Sequence, residues 1–486
     1  MLHVVWYKRD LRIHDHRPLQ EAWREKEPIL PLYVAEPSIW QGSELSIRHF
    51  QFVQESLEDL KGAFEKLGGS LFVTIGEMES VLHTIYESVG PFTLHAHEEN
   101  GTPLTYERDK RVRQWMKVRG LLFHEYQHCG VVRGERSEEL FKKDWKEFIG
   151  MPVLNAPDSI WTIDQENLPS TISTNMDALS RFKIGGSRIK YGQQGGEGLA
   201  HETLESFLDE RFTRYKEELA NPLASTNTCS RISPYLAWGN ISMRQVVKRT
   251  KEALEQCDRS DDRKQLKAFN SKLEEHCRSI QWIEDHPSSV YTSGNPTFDQ
   301  SREVWQEGFE RWSKGETGLP MIDAAMRALI KTGWLNNRLR AMLLSFACHT
   351  LRMNWKEPAD YLAGLFVDYE PGIHYKQVHS VVSPESIKRG RLYDPVKEGK
   401  KYDPEGRFVR QYVPELKHVP DSYIHEPWKY DGFFHLEYYG PIVDVGRANR
   451  NVKARIAEVE NKGEGSEKKK AVKEEDEQIV FDLFTE

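Results

Sequence analysis

What this sequence lacks narrows it first. Its 486 residues contain no apolar run of about 18, so no membrane-spanning helix is expected. The opening MLHVVWYKRDLR has no basic-then-apolar leader pattern, and a cytoplasmic protein is the expectation. Only five cysteines occur, Cys129, Cys229, Cys257, Cys277 and Cys348, and none forms a C-x-x-C pair. That spacing argues against a zinc ribbon, and no metal site is expected. Scattered thiols in a cytosolic protein stay reduced. Positive charge is not in excess, since the formal net charge is −8. A nucleic-acid surface on such a chain is a local basic groove rather than a global field.

What is present suits a globular protein of two or more domains, 38% hydrophobic and 29% charged. Apolar runs at 3–7, 29–34, 70–73 and 92–96 read as strands. A helix begins at Leu19, and 48–67 is helical with Phe52, Leu57, Leu60 and Leu67 apolar. Strands alternating with helices predict a doubly wound parallel sheet, an α/β domain with ligands off its strands' carboxyl ends. Pro152, Pro157 and Pro169 mark a long surface connector. A helix is expected at 200–215, and the chain then reads as all-α to about Leu365. Past Asn451 a Lys/Glu tail ends in apolar residues, Ile479 to Phe484, suited to docking. The expected division is 1–130, 131–199, 200–445 and a tail at 446–486.

Three stretches carry chemistry. In 315–346, Met321/Ile322, Ala325/Met326 and Leu329/Ile330 make one helical apolar face, and Gly333 suits a left-handed cap. Trp334, Asn336, Asn337, Arg338 and Arg340 then open a second apolar helix. Guanidinium forks and amides there point to an anionic or heterocyclic ligand, or to a solvated basic edge. In 228–237, Thr228, Cys229, Ser230, Arg231, Ile232 and Ser233 precede Pro234. Hydroxyls and free N–H groups at such a helix start bind anions, although a plain Ser cap gives the same letters. In 367–377, Asp368 and Glu370 lie near His374, which can change protonation near neutral pH or merely bond backbone. A basic cluster follows at Lys388, Arg389 and Arg391, either a phosphate-contacting groove or a solvated loop.

These stretches resemble the cryptochrome/photolyase family. Its G-x-T-G-x-P-x-x-D-A-x-M-R run is matched by Gly315, Thr317, Gly318, Pro320, Asp323, Ala324, Met326 and Arg327. Its T-G-W-x-x-N-R-x-R run is matched by Thr332, Gly333, Trp334, Asn337, Arg338 and Arg340. Its R-x-D-L-R-x-x-D opening is matched by Arg9, Asp10, Leu11, Arg12 and Asp15, which also read as a salt-bridged turn within the first domain. The resemblance spans about 1–440, and the D-Y-E-P-G-I-H-Y loop looks like a bacterial side branch.

The resemblance implies an antenna-type domain at 1–130, a connector at 131–199 and a helical FAD-binding domain at 200–445. FAD would meet Tyr215, Thr228, Cys229, Ser230, Arg231, Ile232, Ser233, His276, Trp334, Asn337, Arg340, Asp368, Glu370 and His374. His374 occupies the position that faces the flavin's reactive nitrogen. Trp355 matches the middle of the family's three-Trp electron route, whose inner place holds Val378 and whose outer place has no clear match; Tyr375, Tyr393 or Trp282 are the candidate substitutes. DNA would meet Lys272, Arg338, Lys376, Lys388, Arg389 and Arg391. A second antenna chromophore of unspecified identity is expected near His97–Gly101. No cysteine follows Cys348, so no iron–sulfur cluster is expected. The function implied is light-driven repair of damaged DNA by a monomer, with a cryptochrome-like photoreceptor as the alternative. Departures favour the alternative: Lys272 and Glu275 stand where dimer photolyases carry Glu and a stacking Trp, and Ala341 replaces a Met. Asn336 replaces the His of (6-4) enzymes, and Cys229 a Thr.

Overall fold

The computed structural model describes residues 1–292, 305–383 and 392–463, with side chains as far as 454. Five parallel strands form the first layer: β1 (Leu2–Tyr7), β2 (Ile29–Ala35), β3 (Phe72–Ile75), β4 (Phe92–His97) and β5 (Phe123–Tyr126). Their order is β3-β2-β1-β4-β5. The winding reverses between β1 and β4, so a crevice opens at the carboxyl ends of those two strands. Every residue of β1, β2 and β4 is buried, which is why these segments read as unbroken apolar runs. Side chains alternate between two cores. Val5 and Tyr7 face the one shared with Phe52 and Leu57, and Val4 and Trp6 face the one shared with Leu82 and Val112.

Helices α1 (Arg17–Arg24), α2 (Ile47–Lys66) and α3 (Pro103–Val118) cover the sheet. The expected strands and the helix at 48–67 are present within two residues. β5 had no apolar signal because Phe-His-Glu-Tyr is a part-exposed edge strand. The Pro-rich connector does more than drape. Thr162 bridges Ile29 and Ser173 bridges Val73.

The helical half carries α4 (Ser260–Asp285), α5 (Pro320–Thr332), α6 (Asn337–Ser345), α7 (Lys356–Leu365) and α8 (Pro371–Val382). The helix expected at 200–215 is shorter, Glu197–Asp209. A tight 3-10 turn, Arg211–Arg214, follows it, because Arg211 folds back onto neighbouring carbonyls. Gly333 caps α5 in the left-handed region at φ 72°, its N–H reaching Leu329 O at 2.8 Å. Asn336 caps α6 by accepting Leu339 N–H at 2.9 Å. One of the amides in that polar stretch therefore serves the helix.

The two halves lock through buried polar contacts. Asp15 was expected to pair within its own turn. Its partner is instead Arg244 of the helical half, at 2.7 and 2.9 Å, with a further bond from Ser242. Arg12 spends its donors on the carbonyls of Asp15 and Gly239, at 3.0 and 2.9 Å. Gly239, at φ 68°, lets the backbones touch, since a Cβ there would lie 2.1 Å from Arg9 O. Among the described residues no helix is long and apolar enough to cross a membrane.

Candidate functional site

The 228–233 loop is built around two arginines. Arg211 donates to the carbonyls of Asn227, Cys229 and Ser230 at 2.8, 2.6 and 3.2 Å, tying the loop back. Arg231 adopts the left-handed region at φ 61°, uncommon for a residue with a Cβ. Its guanidinium lies 3.9 Å over the Trp334 ring and donates to Gln193 Oε1 at 3.1 and 3.0 Å. Gln193 returns a bond to Arg231 O at 2.8 Å. Among the described residues no carboxylate forms an ion pair with Arg231, and burial pulls its guanidinium down to about 10. A desolvated cation held only by neutral partners is a place built for an anion.

The helix after this loop, Ser233–Ala237, has five residues, so its dipole is small. The anion-binding capacity expected of a helix start falls instead to Arg231. Thr228 Oγ1 bonds Ala224 O at 3.0 Å. Ser230 Oγ is at the limit of hydrogen bonding to Ile232 N, 3.5 Å away. Ile232 is buried, and burial pushes the Cys229 thiol up to about 12, so it is a neutral group. Tyr215 lies behind the loop, edge-on to Phe207 and Phe269 at 5.6 and 5.7 Å.

A second cluster joins three distant segments. Asp368 accepts Arg340 Nη2 at 2.9 and 2.7 Å and Ser233 Oγ at 2.7 Å. Arg340 Nε also donates to Leu335 O at 2.8 Å, and Trp238 Nε1 holds Val367 O at 2.8 Å. Asn337 sits exposed in the first turn of α6, where Gln377 donates to its carbonyl at 3.2 Å. Half-buried His276, on α4, is pushed down to about 4 by desolvation.

Glu370 is only two residues from Asp368 but has another environment. It is 9% exposed, its Oε1 has no hydrogen-bond partner, and its nearest cation, Arg9, is 3.8 Å from Oε2. Burial pushes its carboxyl up to about 7. His374, read from sequence either as a neutral-pH switch or as a group that bonds backbone, is pushed down to about 4 by burial while Nε2 bonds Ala359 O at 3.0 Å. It is a neutral imidazole with Nδ1 left as the acceptor. The group of this loop that titrates near neutrality is Glu370.

Of the expected DNA-facing cations, Lys272 and Arg338 are paired inside the fold, on a face where Arg278 is paired as well. Lys272 Nζ pairs with Glu275 at 2.7 Å, and Arg278 with Glu138 and Glu274 at 3.0 and 3.4 Å. Arg338 donates to Glu398 at 3.0 Å and lies 4.5 Å over Tyr402. Lys376 is pushed down to about 8 by burial. Lys388, Arg389 and Arg391 lie outside the described residues. Trp355 is buried, and rings lead outward from it: His379 at 5.8 Å, then Trp282 at 5.2 Å, then His286 stacked at 5.0 Å.

At the strand switch point Asp10 accepts Lys8 N–H at 2.7 Å and faces His16 Nε2 and His97 Nδ1 at 3.0 and 2.7 Å. The three side chains are close enough to suggest a metal nest. However, His16 Nδ1 accepts Leu19 N–H at 3.1 Å, so its proton sits on Nε2 and points at Asp10. That is a hydrogen-bonded cluster, not a ligand set. Beside it a cleft of about 80 Å³ is lined by Trp6, Tyr33, Trp40, Glu99, Arg108 and Trp238. Arg108 there is neutralised by Glu36, Glu99 and Asp109 at 2.8, 2.6 and 2.8 Å. Arg9, Gln193 and Arg211 were not singled out as site residues. Arg9 and Arg211 donate to backbone carbonyls distant in sequence and Gln193 clasps Arg231, and only the glycines after Gln193 hinted at a close approach.

Comparison with known proteins agrees with this layout. The family model described as DNA photolyase matches residues 3–139, and that described as the FAD binding domain of DNA photolyase matches 269–458. A deoxyribodipyrimidine photo-lyase of Streptomyces griseus is 27% identical over 460 residues, covering 92% of this chain and 97% of the relative. A cryptochrome DASH of Synechocystis is 26% identical over 451 residues, covering 87% and 90%. A class III photolyase structure from Agrobacterium tumefaciens superposes with a TM-score of 0.82 at 25% identity, covering 94% and 98%. With a doubly wound sheet, a helical half and both family domains matched in order, the chain belongs to the cryptochrome/photolyase family.

Proposed function

We propose that this protein binds FAD and uses blue light to split pyrimidine dimers in DNA. The observation that carries the cofactor reading is Arg231, a half-buried cation with neutral hydrogen-bond partners beside the Arg340–Asp368–Ser233 clamp. The donor set fits a dinucleotide. Arg231 would hold the diphosphate, Trp334 offers an aromatic face, and Asp368 is fixed as an ionised acceptor by Arg340. Bound FAD would supply light absorption and the loan of one electron to the lesion. The protein's own work is positioning. Arg211 holds the loop, Arg340 aims Asp368, and neutral His374 offers an acceptor rather than a proton donor. The aromatic file from Trp355 to Trp282 supports an electron route from the surface. The cleft at the strand ends supports a second, planar chromophore with little need for phosphate, because Arg108 is already neutralised. We take 1–130 as the antenna unit, 131–199 as connector, 200–445 as the FAD unit and 446–486 as tail, acting as a monomer.

A second reading, a photoreceptor without repair, is favoured by one observation. The lesion-facing helix carries the Lys272–Glu275 ion pair where a base would need a stacking ring. Incubating the flavin-loaded protein with ultraviolet-irradiated oligonucleotide under blue light separates the two. Repair predicts light-dependent loss of dimers. Photoreduction with dimers intact transfers the assignment to the receptor.

A further inference from the structure

Between the sheet and the helical half lies a second cavity of about 40 Å³, room for a few waters. From the strand ends it is lined by Arg9, Asp10, His97, Glu98 and Glu99, and from the segment after β5 by His128 and Cys129. The helical half adds His276 of α4 and Glu370 at the start of α8. Glu370 is the one carboxylate on this wall with an oxygen, Oε1, that is buried and unpartnered among the described residues. The neighbouring charges are arranged around it without satisfying it. Arg9 is 3.8 Å from Oε2 and spends its shorter bonds on Ala237 O and Tyr369 O. Glu99 is held by Arg108, and Asp10 by His16 and His97. His128 faces Arg12 at 3.2 Å, and Lys8 faces Asp109 at 3.4 Å.

A buried carboxyl oxygen without a donor is costly when ionised and inexpensive when it carries a proton. Asp368, on the same loop, is the opposite case, ionised by Arg340 and Ser233. Two acids on one loop, one held charged and the other free to gain a proton, divide the labour of electrostatics and proton storage.

We infer that Glu370 stores a proton exchanged through this cavity and keeps the charge of the flavin-binding core constant when an electron enters it. The balance is simple. One electron arrives in the cofactor site, one proton from solvent crosses the cavity waters and binds Oε1, and both leave on reoxidation. The titration range of Glu370, about 7, places the exchange near neutrality, where its carboxylate and acid forms are both populated. This inference rests on the flavin reading above.

The test uses the full-length protein, wild type and Glu370→Gln, the latter an isostere of the protonated acid. Infrared difference spectra from one unit below to one unit above about pH 7 read the carboxylic-acid C=O band with or without bound flavin. The band is expected to fade across that range in wild type and to be missing in the variant. Dithionite titration of the bound flavin is expected to give a wild-type midpoint that moves tenfold in equilibrium constant per pH unit, about 59 mV for one electron. In Glu370→Gln that dependence should flatten. A band unaffected by the substitution, or an unchanged pH slope, overturns the inference. A protein that takes up no flavin overturns the cofactor reading instead, while the infrared titration still reports on Glu370.

Discussion

At the scale of single residues the site depends on two unlike guanidiniums. Arg231 has only neutral partners, so its removal should cost the ligand far more than the fold. Arg231→Ala is expected to weaken flavin retention at least tenfold, about 1.4 kcal/mol or more, measured by absorbance of flavin released on dialysis. Half-buried Arg340 pairs with buried Asp368, and breaking the pair from the Asp368 side leaves the guanidinium uncompensated. Asp368→Asn should therefore destabilise the folded protein by about 3 kcal/mol, read as a lower urea midpoint at unchanged slope. The residue types of this cradle were legible in the sequence, because Ser233, Trp334, Arg340 and Asp368 stand in motif positions. Their partners were not. Gln193 clasps Arg231 across 38 residues and Arg211 serves carbonyls up to 19 residues away, and neither leaves a periodic trace.

At the scale of elements, the strands β1, β2 and β4 were readable because both of their faces are covered. β5 is an edge, so its pattern vanished into polar residues. Helix ends followed local chemistry where a cap exists, as at Gly333 and Asn336. They departed from expectation where a long-range bond intervened, as at Asp209. The junction element is the turn at Gly239. Gly239→Ala would put a methyl group into the Arg9 carbonyl at a positive φ, and a loss of about 2 kcal/mol or more is expected in urea unfolding. A neighbouring surface change such as Lys248→Ala gives the comparison, with little expected effect.

At the scale of the whole molecule, buried and half-buried histidines set the response to acid. His49, His95 and His97 are pushed down to about 3, and His276 and His374 to about 4, each chiefly by burial. Their folded values lie below the ordinary 6.5, so the unfolded chain binds more protons below that pH. Stability is then complete above 6.5 and lost as pH falls toward 4, by up to about 3 kcal/mol for each group. Urea midpoints collected down this range should fall steeply. Glu370 works in the other sense. Its folded value, raised from 4.5 to about 7, makes the native state bind the extra proton, so its contribution is lost as pH rises through that window. Glu370→Gln should remove this opposing term, so the variant's urea midpoint is expected to rise more steeply with pH between 4.5 and about 7 than the wild type's.

The sequence by itself determined the parallel sheet, the helical half and the residue types of the cradle, because apolar periodicity and motif spacing are local properties of the chain. Tertiary structure alone decided which charges are compensated. It sent Asp15 to Arg244 and Arg338 to Glu398, while Arg231 was left with neutral partners and Glu370 with an unbonded oxygen. The cost of a buried charge depends on what surrounds it in space, and residues brought together from opposite halves of the chain carry no record of that meeting in their order.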